Sequence, residues 1–227
     1  MNGLSYHLLA PEGTFGQLVN KSLGGKMPKR QKSVKQGLQG QVRIIGGDWR
    51  GRKLPVLQAE GLRPTSDRVR ETLFNWLQLD LPASRCLDAF AGSGALALES
   101  LSRGASQVVL LEKEPRLAKH LREVVSQLAE TQLSATQAQV VNADALQYLQ
   151  QPANQVFDLV FLDPPFGQAL LEPVCQLLQS QGWLAPGALI YLEREKHAAR
   201  IQLPESWILK KEKQAGEVSY FLYQASN

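Results

Sequence analysis

The residues best placed to do chemistry are Asp163-Pro164-Pro165-Phe166, which follow the apolar run Phe157-Asp158-Leu159-Val160-Phe161-Leu162 and precede Gly167. Each proline fixes its own φ and donates no hydrogen bond, and Pro165 restricts Pro164. The Asp163 carboxylate and the Pro164 carbonyl are therefore held in set directions. Two converging acceptors suit an exocyclic amine, which carries two N–H donors and a lone pair delocalised into its ring. Gripping both hydrogens favours a pyramidal nitrogen with its lone pair aimed at an electrophile, and Asp163 would stabilise the positive charge that develops there. Phe166 adds a face on which an extracted base can stack. A purely structural turn is the alternative reading of the same four residues.

A second constellation is Asp88-Ala89-Phe90-Ala91-Gly92-Ser93-Gly94, leading into Ala95-Leu96-Ala97-Leu98-Glu99. An acid ends a buried strand, a Gly-x-Gly turn lets a ligand approach the backbone, and a helix starts at once with its free N–H groups facing that ligand. Eighteen residues beyond Gly94 stands Glu112, whose carboxylate can accept both hydroxyls of a ribose. A nicotinamide dinucleotide remains possible, since Ala97 is tolerated at the third glycine position of that fingerprint. Asp88 favours S-adenosylmethionine instead, because a carboxylate there repels a pyrophosphate and suits a cationic amino-acid end. Ser93 lacks the flanking pattern of a nucleophile elbow, and no Gly-Lys-Ser/Thr phosphate loop is present.

Both constellations need a scaffold that brings strand ends together. From Arg85 onward apolar runs alternate with helical patterns, as in a parallel doubly wound sheet. Strands are expected at Cys86-Leu87, Val108 to Leu111, Val140-Val141, Phe157 to Leu162 and Ala188 to Leu192, with a closing antiparallel hairpin from Trp207 to Leu209 and Ser219 to Tyr223. A helix from Pro115 to Leu128 presents Leu117, Leu121, Val124, Val125 and Leu128 on one face. Upstream, Gln41 to Ile45 and Lys53 to Leu57 read as a hairpin displaying Trp49, Arg50 and Arg52. A helix then follows, capped by Thr65, Ser66 or Asp67, with Val69, Leu73, Trp76 and Leu77 as its buried stripe and Arg63, Arg68 and Arg70 around its first turn. Three cations at a helix N-terminus fit a bound phosphate or carboxylate, or else salt bridges to Asp67, Glu71 and other acids.

Charge is unevenly distributed along the 227 residues. Residues 1–53 carry ten Lys/Arg against two acids, and the remainder fifteen against nineteen, so a basic arm sits on a mildly acidic body. A polyanionic partner is the reading that uses this asymmetry. No apolar run reaches the roughly 18 residues that cross a bilayer, and the start lacks signal-peptide order, so a cytoplasmic protein without a membrane partner is expected. Cys86 and Cys175 lie in apolar segments and read as reduced and inert. His7, His120 and His197 show no ligand spacing, and no metal is expected.

Asp163 to Phe166 is similar to the [D/N/S]-P-P-[Y/F/W] motif of amino-group methyltransferases, and Asp88 to Gly94 resembles their cofactor loop. Arg43-Ile44-Ile45-Gly46-Gly47, Arg50 to Leu54, Arg63-Pro64-Thr65, Asp67 to Glu71 and Leu73 to Leu77 further resemble the RsmD family of bacterial 16S ribosomal RNA guanine-N2 methyltransferases. The likeness runs from Val42 to the C-terminus. It implies an α/β class I methyltransferase (Rossmann-like) fold: a mostly parallel seven-stranded sheet with helices on both faces, a C-terminal antiparallel hairpin and a small N-terminal extension. It also implies S-adenosylmethionine as donor, S-adenosylhomocysteine as product, no metal, and 16S rRNA of the small ribosomal subunit or an assembly intermediate as partner of a monomeric enzyme. By position, Asp88, Phe90, Gly92, Gly94, Glu112 and Asp144 would hold the cofactor, and Asp163, Pro164, Pro165 and Phe166 would be catalytic. Arg43, Arg50, Arg52, Arg63, Arg68 and Arg70 would contact RNA. The domains follow as a basic arm at 1–41, expected to be disordered when free, an RNA-binding hairpin and helix at 42–82, and a catalytic domain at 83–227. Met27, the only methionine besides Met1, is a candidate internal start.

The rival readings are methylation of another amine, either adenine N6 or a protein glutamine, and an RNA-binding protein without catalysis. Only one helix fits between Phe166 and Ala188, too little for a DNA target-recognition segment, and a glutamine enzyme has no use for the N-terminal arginines.

Overall fold

The computed structural model describes residues 40–57, 66–129 and 137–226; of the arm expected at 1–41, residues 1–39 with Met27 lie outside them, as does Arg63, while Gly40 and Gln41 begin a strand. Two short strands open the described chain: β1 (Gly40–Arg43) pairs antiparallel with β2 (Lys53–Val56). Then follow α1 (Asp67–Trp76), β3 (Arg85–Asp88), α2 (Ala95–Ser102), β4 (Gln107–Glu112), α3 (Pro115–Ala129) and β5 (Gln137–Asn142). The chain continues with α4 (Ala145–Leu149), β6 (Phe157–Leu162), α5 (Leu171–Ser180), β7 (Leu184–Glu195), β8 (Trp207–Ala215) and β9 (Val218–Ala225).

The seven strands from β3 onward form one sheet of order β5-β4-β3-β6-β7-β9-β8. The first five run parallel, and β9 lies antiparallel between β7 and β8. Alternation along each strand divides the core between the two faces. Cys86, Val108, Leu110, Leu159 and Phe161 join residues of α1, α2 and α3 in one cluster, while Leu87, Val109, Leu111, Val160 and Leu162 join α4 and α5 in the other. A parallel sheet covered on both faces explains why β4 and β6 are almost wholly apolar. This is the expected fold.

Three elements differ most in extent from the sequence reading. Strand β5 spans six residues where two apolar ones were expected, because Gln137 and Gln139 belong to a sheet-edge strand with one accessible side. Strand β7 begins at Leu184, and its pairing with β6 shifts register between Phe157 and Leu159. Strand β8 continues through Lys210, Lys211, Glu212 and Lys213, since ladder bonds to β9 and not an apolar pattern carry it to Ala215. Charged side chains on such an outer strand also discourage pairing with a second chain.

The N-terminal elements belong to the same core. Ile44, Trp49, Leu54, Val69, Leu73, Phe74 and Leu77 are buried with residues of α2 and α3. Ser66 caps α1, its hydroxyl accepting from the Val69 N–H at 3.4 Å. The buried stripe of α1 is Val69, Arg70, Leu73 and Phe74, whereas Trp76 is only partly covered. Among the described residues no helix is long and apolar enough to cross a membrane.

Candidate active site

Register alone places four carboxylates along one edge of the sheet. Asp88, the last residue of β3, pairs with Leu110 on β4 and with Phe161 on β6, so Glu112, the last residue of β4, and Asp163, just past the end of β6, each lie two residues farther along. Glu112 in turn pairs with Asn142 on β5, and Asp144 follows two residues later. The carboxyl edge of β5-β4-β3-β6 thus carries Asp144, Glu112, Asp88 and Asp163 in that order. Ligands of open α/β sheets bind at this edge, where the strand order reverses.

The glycine loop is shaped to bring backbone to a ligand. Gly94 caps α2 in the left-handed region, with φ of 75° and no side-chain cap bond. The positive φ favours glycine there, and an added Cβ would stand 2.8 Å from Leu121 Cδ2 and have to displace the end of that side chain. Gly92, with φ of 51°, donates its N–H to Glu112 Oε2 at 2.9 Å, and Glu114 donates to Oε1 at 2.7 Å. Each Glu112 oxygen keeps acceptor capacity beyond these bonds, as binding a diol requires. Burial raises the Glu112 carboxyl above the usual range.

Asp88 is 2% exposed, and its carboxyl is pushed up to about 7, first by burial and then by the charge of Asp163, against the N–H groups of Phe90 and Ala97. A carboxylate this poorly solvated gains from a cationic partner. Phe90 is partly exposed beside it. Asp144 caps α4 through the N–H groups of Leu146 and Gln147 and pairs with Lys113 at 2.9 Å. The Lys113 ammonium beside it lowers its carboxyl. Glycine backbone, a diol acceptor and a buried acid together fit a nucleoside that ends in a cationic amino-acid chain. Among the described residues no group of three or more His, Cys, Asp or Glu is arranged to hold a metal ion.

Directly after β6, Asp163 is half-buried, Pro164 buried, and Phe166 39% exposed. Gly167, at φ of 73°, turns the chain away after the aromatic. Beside them is a pair that the sequence reading passed over. Tyr191, fully buried on β7, donates its hydroxyl to Glu193 Oε2 at 2.7 Å, and Glu193 is 5% exposed. Burial, followed by the charges of Glu193 and Asp163, raises the Tyr191 hydroxyl well above the usual range. The available signal was an acid placed directly after the apolar run Ala188 to Leu192.

The N-terminal arginines divide. Arg43, Arg50, Arg52 and Arg68 are exposed, with Arg43 3.7 Å from Asp67. Arg70 departs from the expectation of an RNA contact: its side chain is 1% exposed. It donates to the Arg43 carbonyl at 2.8 Å and Asp67 Oδ1 at 2.7 Å, and its Nη1 lies 3.8 Å from Glu99. A guanidinium enclosed in this way braces α1 and cannot reach a phosphate. Trp49 is likewise buried and not displayed. The cause is Ser102 on α2, which accepts from the Trp49 N–H at 2.9 Å and donates to the Gly46 carbonyl at 2.6 Å, drawing the turn inward. At Gly47, φ is 73° and a Cβ would fall 1.7 Å from the Ser102 carbonyl oxygen. Glu99 completes the dock, accepting from Ile45 N–H at 2.7 Å, Gly46 N–H at 2.8 Å and Arg103 Nε at 2.7 Å. Its signal was a lone acid within the helix Ala95-Leu-Ala-Leu-Glu-Ser-Leu-Ser102.

Comparison with known proteins agrees with this architecture. Residues 42–224 match the family model described as Conserved hypothetical protein 95. The ribosomal RNA small subunit methyltransferase D of Haemophilus influenzae is 54% identical over 187 residues, covering 82% of this chain and 95% of that protein. A solved structure from Escherichia coli, the putative methyltransferase yhhF, superposes with a TM-score of 0.74 at 47% identity, over 82% of this chain and 99% of that one. A Thermus thermophilus 16S rRNA N2 methyltransferase, RsmC, solved with AdoMet and guanosine, has a TM-score of 0.59 at 22% identity, over 83% of this chain and 50% of that one; this likeness shows the class I methyltransferase fold. With its model matched from Val42 almost to the C-terminus and a relative this similar over most of both sequences, the chain belongs to the RsmD family of ribosomal RNA small subunit methyltransferases.

Proposed function

We propose that this protein transfers a methyl group from S-adenosylmethionine to the exocyclic N2 amine of a guanine in 16S rRNA of the small ribosomal subunit or its assembly intermediate, as a cytoplasmic monomer. The observation that carries the reading is the position of Asp163-Pro164-Pro165-Phe166 directly after β6, the strand next to that of Asp88, so that an amine-gripping motif borders a nucleoside-binding loop along one sheet edge. The name of the Haemophilus influenzae relative supports ribosomal RNA as the substrate.

On this reading Glu112 accepts the ribose hydroxyls, Asp88 faces the cationic amino-acid end, Gly92 and Gly94 let the backbone approach, Phe90 packs beside them, and Asp144 lies toward the adenine. When bound, S-adenosylmethionine supplies an electrophilic methyl on a sulfonium. Asp163 and the Pro164 carbonyl hold the two amine hydrogens, Pro165 stiffens their carrier, and Phe166 stacks on the base. Asp163 stabilises the positive charge that develops on the nitrogen. Arg43, Arg50, Arg52 and Arg68, with Arg63 upstream of α1 and the basic arm 1–41, attract the RNA backbone. Residues 42–82 then serve chiefly in RNA binding and 83–227 in catalysis.

The deciding experiment is incubation with labelled S-adenosylmethionine and small-subunit particles from cells lacking the enzyme, followed by nucleoside analysis. Label in N2-methylguanosine is expected. Label on adenine or on protein would overturn the assignment.

A further inference from the structure

Tyr191 and Glu193 are buried at the carboxyl edge of β7, one strand beyond Asp163, and none of the roles assigned above uses them. The parallel ladder pairs Phe161 with Tyr191 and Leu162 with Leu192, so Asp163 and Glu193 are the next positions in register. Neighbouring strands lie about 4.8 Å apart, which sets the spacing of the two carboxylates' backbones. Period-two alternation turns Tyr191 and Glu193 to the same face as Phe161 and Asp163. That face is walled by aromatic rings. Phe161 lies 6.3 Å from Tyr191, Tyr191 6.3 Å from Tyr220, and Tyr220 5.5 Å from Trp76 of α1. Tyr220 is also the register partner of Glu193 on β9.

A carboxylate enclosed in this way is held rather than free to swing. The Tyr191 hydroxyl fixes Oε2 at 2.7 Å, and tyrosine, rigid beyond its two side-chain angles, is itself packed by its neighbours.

We propose that Glu193, aimed by Tyr191, accepts the N1–H of the target base and thereby selects guanine. The inference rests on the reading of Asp163 as the group that grips the N2 amine. Guanine presents N1–H and N2–H side by side on its Watson–Crick edge, and acceptors on two adjacent strands match those parallel donors. Adenine presents its amine next to a bare N1 lone pair, which would face the carboxylate without a hydrogen between them. A polar group left unmatched in a buried site rejects the wrong base far more strongly than a difference in shape does.

The test uses the full-length protein and reconstituted small-subunit particles in which the methylated guanine is replaced by 2-aminopurine, which keeps the amine but has no N1–H. The wild type is expected to favour guanine over 2-aminopurine by at least about 100-fold in kcat/KM. Glu193→Gln retains a carbonyl for Tyr191 and gains an N–H that can serve the bare N1. Its preference should therefore fall to within about tenfold, chiefly through improved use of 2-aminopurine. A merely structural Glu193 would slow both substrates equally, and an unchanged ratio in Glu193→Gln would overturn the proposal, as would a wild type indifferent to the two bases. Failure of the underlying function looks different: the wild type would then place no label on N2 of guanine in unmodified particles.

Discussion

Replacing Glu99 by alanine tests how the N-terminal turn is held to the helix that follows the glycine loop. The Glu99 side chain is fully buried and accepts hydrogen bonds from Ile45, Gly46 and Arg103, with Arg70 within 3.8 Å. Its loss orphans two backbone N–H groups, each worth about 1–3 kcal/mol if no water reaches it. Arg103 is 21% exposed and can rehydrate, but Arg70 at 1% cannot and keeps only the half-exposed Asp67 as its charge partner, so the under-compensated buried charge dominates. Breaking one side of a buried ion pair costs about 3–5 kcal/mol, and the contributions overlap rather than add. A loss of about 4 kcal/mol is expected, lowering the thermal midpoint by roughly 8–16 °C in a chain of this size. Urea and thermal unfolding of both proteins measure it, and the double variant Glu99→Ala/Arg70→Met should recover part of the loss by removing the stranded charge. A Glu99→Ala protein within about 1 kcal/mol of the wild type would refute the argument, because the turn would then be held by Ser102 and apolar packing alone.

Asp163→Ala should reduce methyl transfer at least about 100-fold while leaving S-adenosylmethionine affinity nearly intact; an equal loss of affinity would remove Asp163 from the amine. Glu112→Ala should instead weaken cofactor binding, measured by calorimetry, by about 1.5–3 kcal/mol, and an unchanged affinity would place the ribose elsewhere. Asp88 titrates near 7 in the folded chain against 3.8 for an ordinary aspartate, so between those values the folded state keeps a proton that the unfolded state has released. Stability should accordingly fall as pH rises from about 4 to about 7, by up to roughly 4 kcal/mol, and level off above; Asp88→Asn should lack this component of the urea midpoint's pH dependence. Arg50→Ala and Arg52→Ala should each lower the slope of log affinity for ribosomal RNA against log salt by up to about one unit, and activity lost at a constant slope would make these side chains structural.

The elements and the chemical motif of this protein are written locally. Apolar runs of strand length, the helical stripe of α3, the Gly-x-Gly turn and Asp163-Pro164-Pro165-Phe166 each declare themselves within a few residues, because periodicity and backbone restriction act over that range. The order of Asp144, Glu112, Asp88 and Asp163 along one edge follows once a doubly wound sheet is inferred, since each acid ends a strand or follows it within two residues. Which polar residues turn inward could not be read in the same way. Arg70 and Trp49 look like an exposed cation and a displayed aromatic until Glu99 and Ser102, on a helix 29 and 53 residues farther along the chain respectively, supply their partners. Glu193 reads as the first charge after a strand until the β6–β7 register sets it beside Asp163 and Tyr191 takes its oxygen. Burial of a charge depends on a partner that arrives from elsewhere in the chain, so only the assembled tertiary structure decides which charges are walls of the fold and which remain for a ligand.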